Sequence, residues 1–152
     1  MSRRAEAAKE FFEKGYACSQ AVAMAFADIV KVDEELLAKI TLPFGGGFGR
    51  MREVCGAVSG MVFVLSNLEG SFDPTDNNSK MEIYQKVQTL MKEFKEKNGT
   101  YICRELLALP EENSDPTPEA RTESYYKKRP CAEIVYLSAK ILEEYLEESK
   151  TK

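Results

Sequence analysis

A glycine-rich loop that runs directly into an apolar segment, between Leu42 and Gly70, constrains this chain most. Four glycines crowd the loop: Gly45, Gly46, Gly47 and Gly49. Such a loop can approach another group closely and can adopt backbone angles with positive φ. The segment from about Val54 to Leu68 is nearly all apolar, which is typical of a buried central helix. We interpret the rest of the chain as a helical scaffold around the junction of loop and helix.

Apolar residues recur at helical spacing through most of the remaining chain. The predicted helices cover residues 3–14, 18–29, 34–40, 54–68, 80–97, 100–107 and 130–148. Thr100 is expected to cap the sixth of them, and 110–129, with three prolines and many charges, is expected to be a surface loop or a lid. With no β-hairpin signal, repeat or domain boundary, residues 1–152 are predicted to form one all-α domain, a bundle of five to seven helices.

The charge balance argues against two classes of partner. A net charge of -4 gives no general attraction to nucleic acid or to an anionic membrane. No apolar stretch approaches the roughly 20 residues that a bilayer-spanning helix needs. The start, Ser2-Arg3-Arg4, resembles a twin-arginine signal, but a charged helix follows it instead of an apolar region. We therefore expect a cytoplasmic location.

The chain has no histidine, and this removes several kinds of site. A Ser-His-Asp triad, a Cys-His nucleophile pair, a histidine-ligated haem and a histidine-containing zinc site are all excluded. Any metal ion would have to be held by thiolates and carboxylates alone.

Four cysteines, Cys18, Cys55, Cys103 and Cys131, are the candidate functional residues. No two of them form a CxxC pair, which excludes a zinc ribbon and a thioredoxin-type motif. Each is predicted to lie in the first turn of a helix and on its apolar side, so the four thiols can converge in the fold. A helix N-terminus favours an anion and lowers the pKa of a thiol, which suits redox thiolates or metal ligands. The alternative is that all four are inert core thiols.

The sequence Cys55-Gly56-Ala57-Val58-Ser59-Gly60 forms a CGAxxG motif. One cysteine lies upstream of it in GYACSQAV, and two lie downstream in YICREL and RPCAEIV. Together these features resemble the prokaryotic four-cysteine family of redox-active proteins that has the pattern C…CGAxxG…C…C. The resemblance covers nearly the whole chain and implies that the cysteines are functional, without implying a particular reaction.

The leading functional hypothesis is redox chemistry by an oxidoreductase or an electron-transfer protein. All four cysteines are candidate catalytic residues, and the same four are the candidate ligands if an iron–sulphur cluster or zinc is bound. We favour dithiol/disulfide chemistry slightly over a cluster, because close-set cysteines of the ferredoxin kind are absent. The alternatives are a structural or storage metal site, and a helical interaction module with inert cysteines.

The glycines near the motif are candidates for binding a cofactor. These are Gly45, Gly46, Gly47 and Gly56. Their other interpretation is a tight turn that lets the cysteine helix pack closely. The expected partner is a redox protein or a small-molecule electron carrier, and a homo-oligomer is also compatible with the sequence.

Overall fold

Helices make up the fold over the residues that the computed structural model describes, 2–109 and 115–150. They are α1 (Arg3–Glu13), α2 (Cys18–Met24), α3 (Ala27–Val30), α4 (Glu34–Thr41), α5 (Gly45–Phe48), α6 (Gly56–Glu69), α7 (Asn77–Asn98), α8 (Cys103–Leu106), α9 (Glu123–Lys128) and α10 (Cys131–Lys150). A 3-10 turn, Leu42–Phe44, joins α4 to α5. No strand forms within these ranges, so the all-α prediction is confirmed. Seven of the helices are longer than a single turn, and α3, α5 and α8 are one turn each.

Polar side chains determine where two of the helices begin. The Asp33 carboxylate accepts a hydrogen bond from the Leu36 N–H at 3.2 Å, which confirms the predicted start of α4. The Asp76 carboxylate accepts from the Ser79 N–H at 3.1 Å in the same way. Helix α7 therefore begins at Asn77, and the prediction that it begins at Lys80 is wrong.

Three other predicted boundaries differ from the structure. The predicted helix 18–29 is interrupted at Phe26, whose ring is fully buried and whose φ of -115° is not helical, so α2 and α3 form instead. Thr100 does not cap α8; Ile102 occupies the cap position. Part of the predicted loop 110–129 is helical, because the Thr122 hydroxyl accepts from the Tyr125 N–H at 3.2 Å and begins α9. Residues 110–114 lie outside the described part of the chain.

The core lies around α6, which packs against α2, α7 and α10. Helix α2 lies between α6 and α1 and also contacts α4 and α10. The largest fully buried side chains include Phe12, Phe26, Phe94, Leu37, Met61 and Leu65. A Cβ atom on Gly60 would come within 2.6 Å of the Ser19 carbonyl oxygen, so α2 and α6 can approach this closely only because residue 60 is glycine.

In the described ranges, no helix combines the length and the apolar character that crossing a bilayer requires.

Candidate functional site

The four cysteines all lie at the beginnings of helices. Cys18, Cys103 and Cys131 are the first residues of α2, α8 and α10. Cys55 is the cap residue immediately before α6. The positions predicted from the sequence are confirmed, and the four helices bring the four cysteines to one region of the molecule.

An antiparallel bridge between Val54 and Ile102 holds two of these cysteines side by side. The Cys55 N–H donates to the Tyr101 carbonyl oxygen at 2.8 Å. On the other side of the bridge, the Cys103 N–H donates to the Glu53 carbonyl oxygen at 2.6 Å. The short bridge therefore fixes the relative positions of α6 and α8.

The glycine-rich loop forms a left-handed turn next to the cysteines. Five consecutive residues, 46–50, have positive φ values between 59° and 74°, so α5 is a left-handed turn. A Cβ on Gly47 would come within 2.7 Å of the Cys103 Cβ. Gly56 is packed similarly, because a Cβ there would be 2.9 Å from the Phe44 carbonyl oxygen and 3.3 Å from the Cys18 Cβ. Gly47 and Gly56 thus allow two of the cysteines to approach the loop and α6.

Of the glycines predicted to bind a cofactor, Gly45 and Gly46 line the cavity that is described below. Gly47 and Gly56 are not in that lining, and their close packing agrees with the tight-turn interpretation.

Cys18 and Cys131 are the two thiols that affect each other most. Each is the largest influence on the pKa of the other, and both residues are partly exposed. Cys55 and Cys103 are buried, with 5% and 7% of their surfaces exposed. Each of the four thiols still affects the ionisation of others in the group.

The environment of the pair gives its two thiols opposite character. The hydrogen bond from Cys18 lowers the pKa of the Cys131 thiol, and the nearby guanidinium groups of Arg129, Arg121 and Arg52 lower it further, against the effect of burial. The same hydrogen bond raises the pKa of the Cys18 thiol well above its ordinary value, and burial adds to that rise. Cys131 is therefore the more acidic thiol of the pair, and Cys18 is the one that holds its proton more strongly.

Burial has the largest effect on the pKa of the other two thiols. It raises the pKa of Cys55 to about 12, although the N–H groups of Ala57 and Val58 favour the thiolate. Burial also raises the pKa of Cys103, and the Arg52 Nη1 atom, which donates to the Cys103 Sγ at 3.7 Å, opposes that rise. The expectation that a helix N-terminus lowers the thiol pKa therefore fails at Cys18, Cys55 and Cys103.

Three of the cysteines line one cavity of about 360 Å³. Cys18, Cys103 and Cys131 share its wall with four arginines, Arg50, Arg52, Arg121 and Arg129, and with one carboxylate, that of Glu119. The remaining lining is mostly apolar or glycine: Ala17, Leu42, Pro43, Gly45, Gly46, Gly49, Leu107, Pro116, Pro118 and Tyr125. Glu53, Glu105 and Glu133, which neighbour cysteines in the sequence, are not among these residues.

One side of the cavity is formed by residues 115–129, which we call the cover segment. The Arg121 guanidinium attaches it to α1 by donating to the Phe12 carbonyl oxygen at 2.8 Å and to the Tyr16 carbonyl oxygen at 3.0 Å. The same guanidinium lies 4.2 Å from the centre of the Phe12 ring and 5.1 Å from that of Tyr125. The described part of the predicted loop or lid therefore covers the cysteines.

Sequence reasoning missed Arg121 and Tyr125. Both lie in a segment without helical periodicity, far from any cysteine except Cys131, so no local signal marks them. The Tyr125 phenol faces the thiol pair, and burial raises its pKa to about 12, which keeps its hydroxyl protonated.

A metal site in this chain would need several thiolates or carboxylates close together. In the described part of the chain, no group of three or more cysteine, aspartate or glutamate side chains is placed so that it could hold a metal ion. Although the four thiols lie in one region, the described residues do not assemble them into such a group.

The chain was compared with known proteins. A family model with the description "Putative redox-active protein (C_GCAxxG_C_C)" matches residues 16–145. The match includes all four cysteines and the cover segment; at the position of the GCA in the family's name this chain reads Cys55-Gly56-Ala57. No curated protein and no solved structure matches the chain.

Proposed function

Because the chain belongs to the C_GCAxxG_C_C family of redox-active proteins, we propose that Cys18 and Cys131 are a dithiol that reduces disulfides. The observation that carries this proposal is that two partly exposed thiols line one cavity and shift each other's pKa in opposite directions. A pair of this kind supplies an attacking thiolate and a second thiol beside it.

The first step is attack by the Cys131 thiolate on a disulfide, written RS–SR′. A bond forms between the Cys131 sulfur and the RS sulfur, the S–S bond of the substrate breaks, and R′S⁻ leaves and takes a proton from water. The guanidinium groups of Arg129 and Arg121 keep Cys131 in the reactive thiolate form beforehand.

The second step uses Cys18. Once the Cys131 sulfur is part of a mixed disulfide, it no longer accepts the hydrogen bond that is the main cause of the raised Cys18 pKa. Cys18 can then lose its proton and attack the Cys131 sulfur, which releases RS⁻ to take up that proton. The protein is left with a Cys18–Cys131 disulfide, and the substrate disulfide has become two thiols.

The cycle closes by the reverse exchange with a reducing dithiol or with two molecules of a monothiol. Each turnover moves two electrons from this reductant to the substrate disulfide. A redox protein or a small-molecule electron carrier, the partner classes expected from the sequence, would supply them; a thiol is such a carrier.

The test is to trap the intermediate. In a Cys18→Ser variant, a disulfide reagent should leave one stable mixed disulfide on Cys131, located by peptide mass spectrometry. The wild-type protein should release two thiols per chain and form the Cys18–Cys131 disulfide. A Cys131→Ser variant should react at least about tenfold more slowly, because the remaining thiols are mostly protonated near neutral pH.

A Cys55→Ala variant is the matched control, since it removes a buried thiol of the same group and should leave the mapped disulfide unchanged. Oxidation that links another pair of cysteines would contradict the proposal. So would stoichiometric iron with labile sulphide, or tightly bound zinc, in protein purified without oxygen.

A further inference from the structure

We propose that the cavity beside the cysteines binds the anionic group of its substrate, and that the substrate class is a small-molecule disulfide that carries carboxylates. The reaction of this substrate rests on the function proposed above, whereas its binding does not. The inference comes from the charges that line the cavity.

Arg52 is the main observation. Only 6% of its surface is exposed, and it forms no ion pair with a carboxylate in the described part of the chain. Its Nε atom is buried and has no hydrogen-bond partner, and its Nη1 donates to a sulfur, Cys103 Sγ, at 3.7 Å. A buried guanidinium without a counter-charge is unfavourable, so an anion in the cavity beside it would be stabilised.

Two further arginines of the lining form no salt bridge in the described part of the chain. Arg50 donates to the Asp115 carbonyl oxygen at 3.0 Å, and Arg121 donates to two carbonyl oxygens of α1 and the turn after it. These backbone oxygens accept hydrogen bonds but carry no full negative charge, although the Asp115 and Glu119 carboxylates lie close enough to interact with the charge of Arg50. Among the described residues, Arg129 is the one lining arginine with an ion pair, to the Glu119 carboxylate at 2.8 Å. The Cys131 thiolate offsets one positive charge, and an excess remains.

The excess of positive charge is confined to the cavity, since the whole chain has a net negative charge of -4. Composition alone would not place four arginines and one carboxylate around a single cavity. Such a concentration of one sign attracts anionic ligands and raises their rate of association.

The size and the remaining lining of the cavity indicate a small molecule. A volume of about 360 Å³ is in the range of ligand pockets and is too small for a folded protein. Leu42, Leu107 and Pro118 add an apolar wall that suits the body of the molecule. Arginines suit planar, bidentate carboxylates in particular, which is why a carboxylate is the anion we propose.

The first experiment compares two disulfide probes that differ in charge. These are 5,5′-dithiobis(2-nitrobenzoate), which carries two carboxylates, and neutral 4,4′-dithiodipyridine. The rate of each with the reduced protein is divided by its rate with dithiothreitol, which removes intrinsic reactivity. We expect the normalised rate to be about tenfold higher for the anionic probe.

The matched variants are Arg50→Gln in the cavity and Lys127→Gln on the exposed face of α9, outside the lining. Arg50→Gln should lower the ratio of anionic to neutral rates about threefold or more, and Lys127→Gln should leave it unchanged. The ratio is the readout because a change in thiolate fraction alters both rates equally. Equal normalised rates in the wild-type protein, or equal losses in the two variants, would overturn the inference while leaving the dithiol proposal intact.

The second experiment measures binding without the reaction. Calorimetry with 3,3′-dithiodipropionate on a Cys18→Ser/Cys131→Ser double variant should show binding that adding Arg50→Gln weakens about threefold or more. Adding Arg52→Met should weaken it further, and if that variant does not fold, Arg50→Gln carries the test alone. No binding would overturn the inference. Binding in a protein whose wild-type form reduces neither probe would uphold the anion site and contradict the proposed reaction.

Discussion

At the scale of single residues, the four thiols show which electrostatic effect prevails. The pKa of Cys55 rises from 9.0 to about 12, which corresponds to about 4 kcal/mol against the thiolate. A favourable helix N-terminus typically contributes about 0.3–1 kcal/mol, so burial outweighs it. Cys131 differs because a thiol donor and several guanidinium groups act on it together. The position of Cys131 at the start of α10 is not sufficient by itself to lower the pKa of its thiol.

The reactivity of Cys131 should therefore depend on pH in a specific way. A lowered pKa means that the thiolate persists to a lower pH than that of an ordinary thiol, and that it is lost as the pH falls through the lowered value. Alkylation by iodoacetamide, followed at Cys131 by mass spectrometry, should have its midpoint below the ordinary thiol value of about 8.5. Arg129→Gln should raise that midpoint by about one unit, because it removes the largest charge effect on the thiol.

The groups around Cys131 define the control for this measurement. The ionisation of the Cys131 thiol depends on its surroundings, so the control variant must leave the neighbouring groups in place. These are Cys18, Arg121, Arg52 and the protonated Tyr125 phenol. Lys128→Gln removes one positive charge beside Arg129, on the exposed end of α9, and should not move the midpoint. A midpoint at or above 8.5 in the wild-type protein would contradict an activated Cys131.

At the scale of secondary-structure elements, the cover segment is attached to the rest of the fold mainly through side chains. Arg121 donates to the Phe12 and Tyr16 carbonyl oxygens, and the Tyr126 hydroxyl donates to the Glu13 carbonyl oxygen at 3.0 Å. All of these acceptors lie at the end of α1 or just after it, and the Arg50 side chain also donates to the Asp115 carbonyl oxygen at the start of the cover segment. Its opening is expected to cost less than unfolding of the core.

Arg121→Lys should loosen the cover segment while keeping its charge. A lysine cannot reproduce two directed hydrogen bonds and ring stacking, so the free energy of local opening should fall by about 1–3 kcal/mol. Hydrogen exchange measured by mass spectrometry should become about tenfold faster or more in residues 115–129, and unchanged in α6. Lys127→Gln, in the same segment, should have no such effect. Equal exchange in all three proteins would show that Arg121 does not hold the segment.

The elements also show what the sequence could predict. Helical stripes and the Asp33 cap predicted α4, α6 and α10 closely, because these signals are local. The Val54–Ile102 bridge could not be predicted, since it joins two short extended segments that meet only in the folded chain. The left-handed turn was expected only as a glycine-permitted angle, and its extension to Phe48 and Arg50 could not be predicted because residues other than glycine seldom adopt positive φ.

The same distinction applies to the site. The cysteines were identified from the motif and from helix positions. Arg121 and Tyr125 reach the cavity only through the path of the cover segment. The division of four thiols into a partly exposed pair and two buried neighbours depends on distances between α2 and α10, which sequence spacing does not contain.

At the scale of the whole molecule, oxidation of the proposed pair would connect two helices that are far apart in sequence. A Cys18–Cys131 disulfide closes a loop of roughly 110 residues, for which the entropic model gives stabilisation of up to about 5 kcal/mol. We expect the oxidised protein to be more stable than the reduced one by about 2–4 kcal/mol in urea unfolding. Cys18→Ser treated with the same oxidant should unfold like the reduced protein. Identical midpoints for the oxidised and reduced wild-type protein would mean that the disulfide strains the native packing of α2 against α10.

Oxidation of this thiol pair to a disulfide also has a mechanical consequence. In the reduced state, a chain pulled from its two ends can extend through every helix from α2 to α9. In the oxidised state, the force passes directly from α2 to α10 through the sulfur atoms, and the intervening helices carry no load. At roughly 3.4 Å per residue, the fully stretched lengths of the two states differ by about 380 Å. The redox state of two side chains would thus decide how far the molecule can be extended.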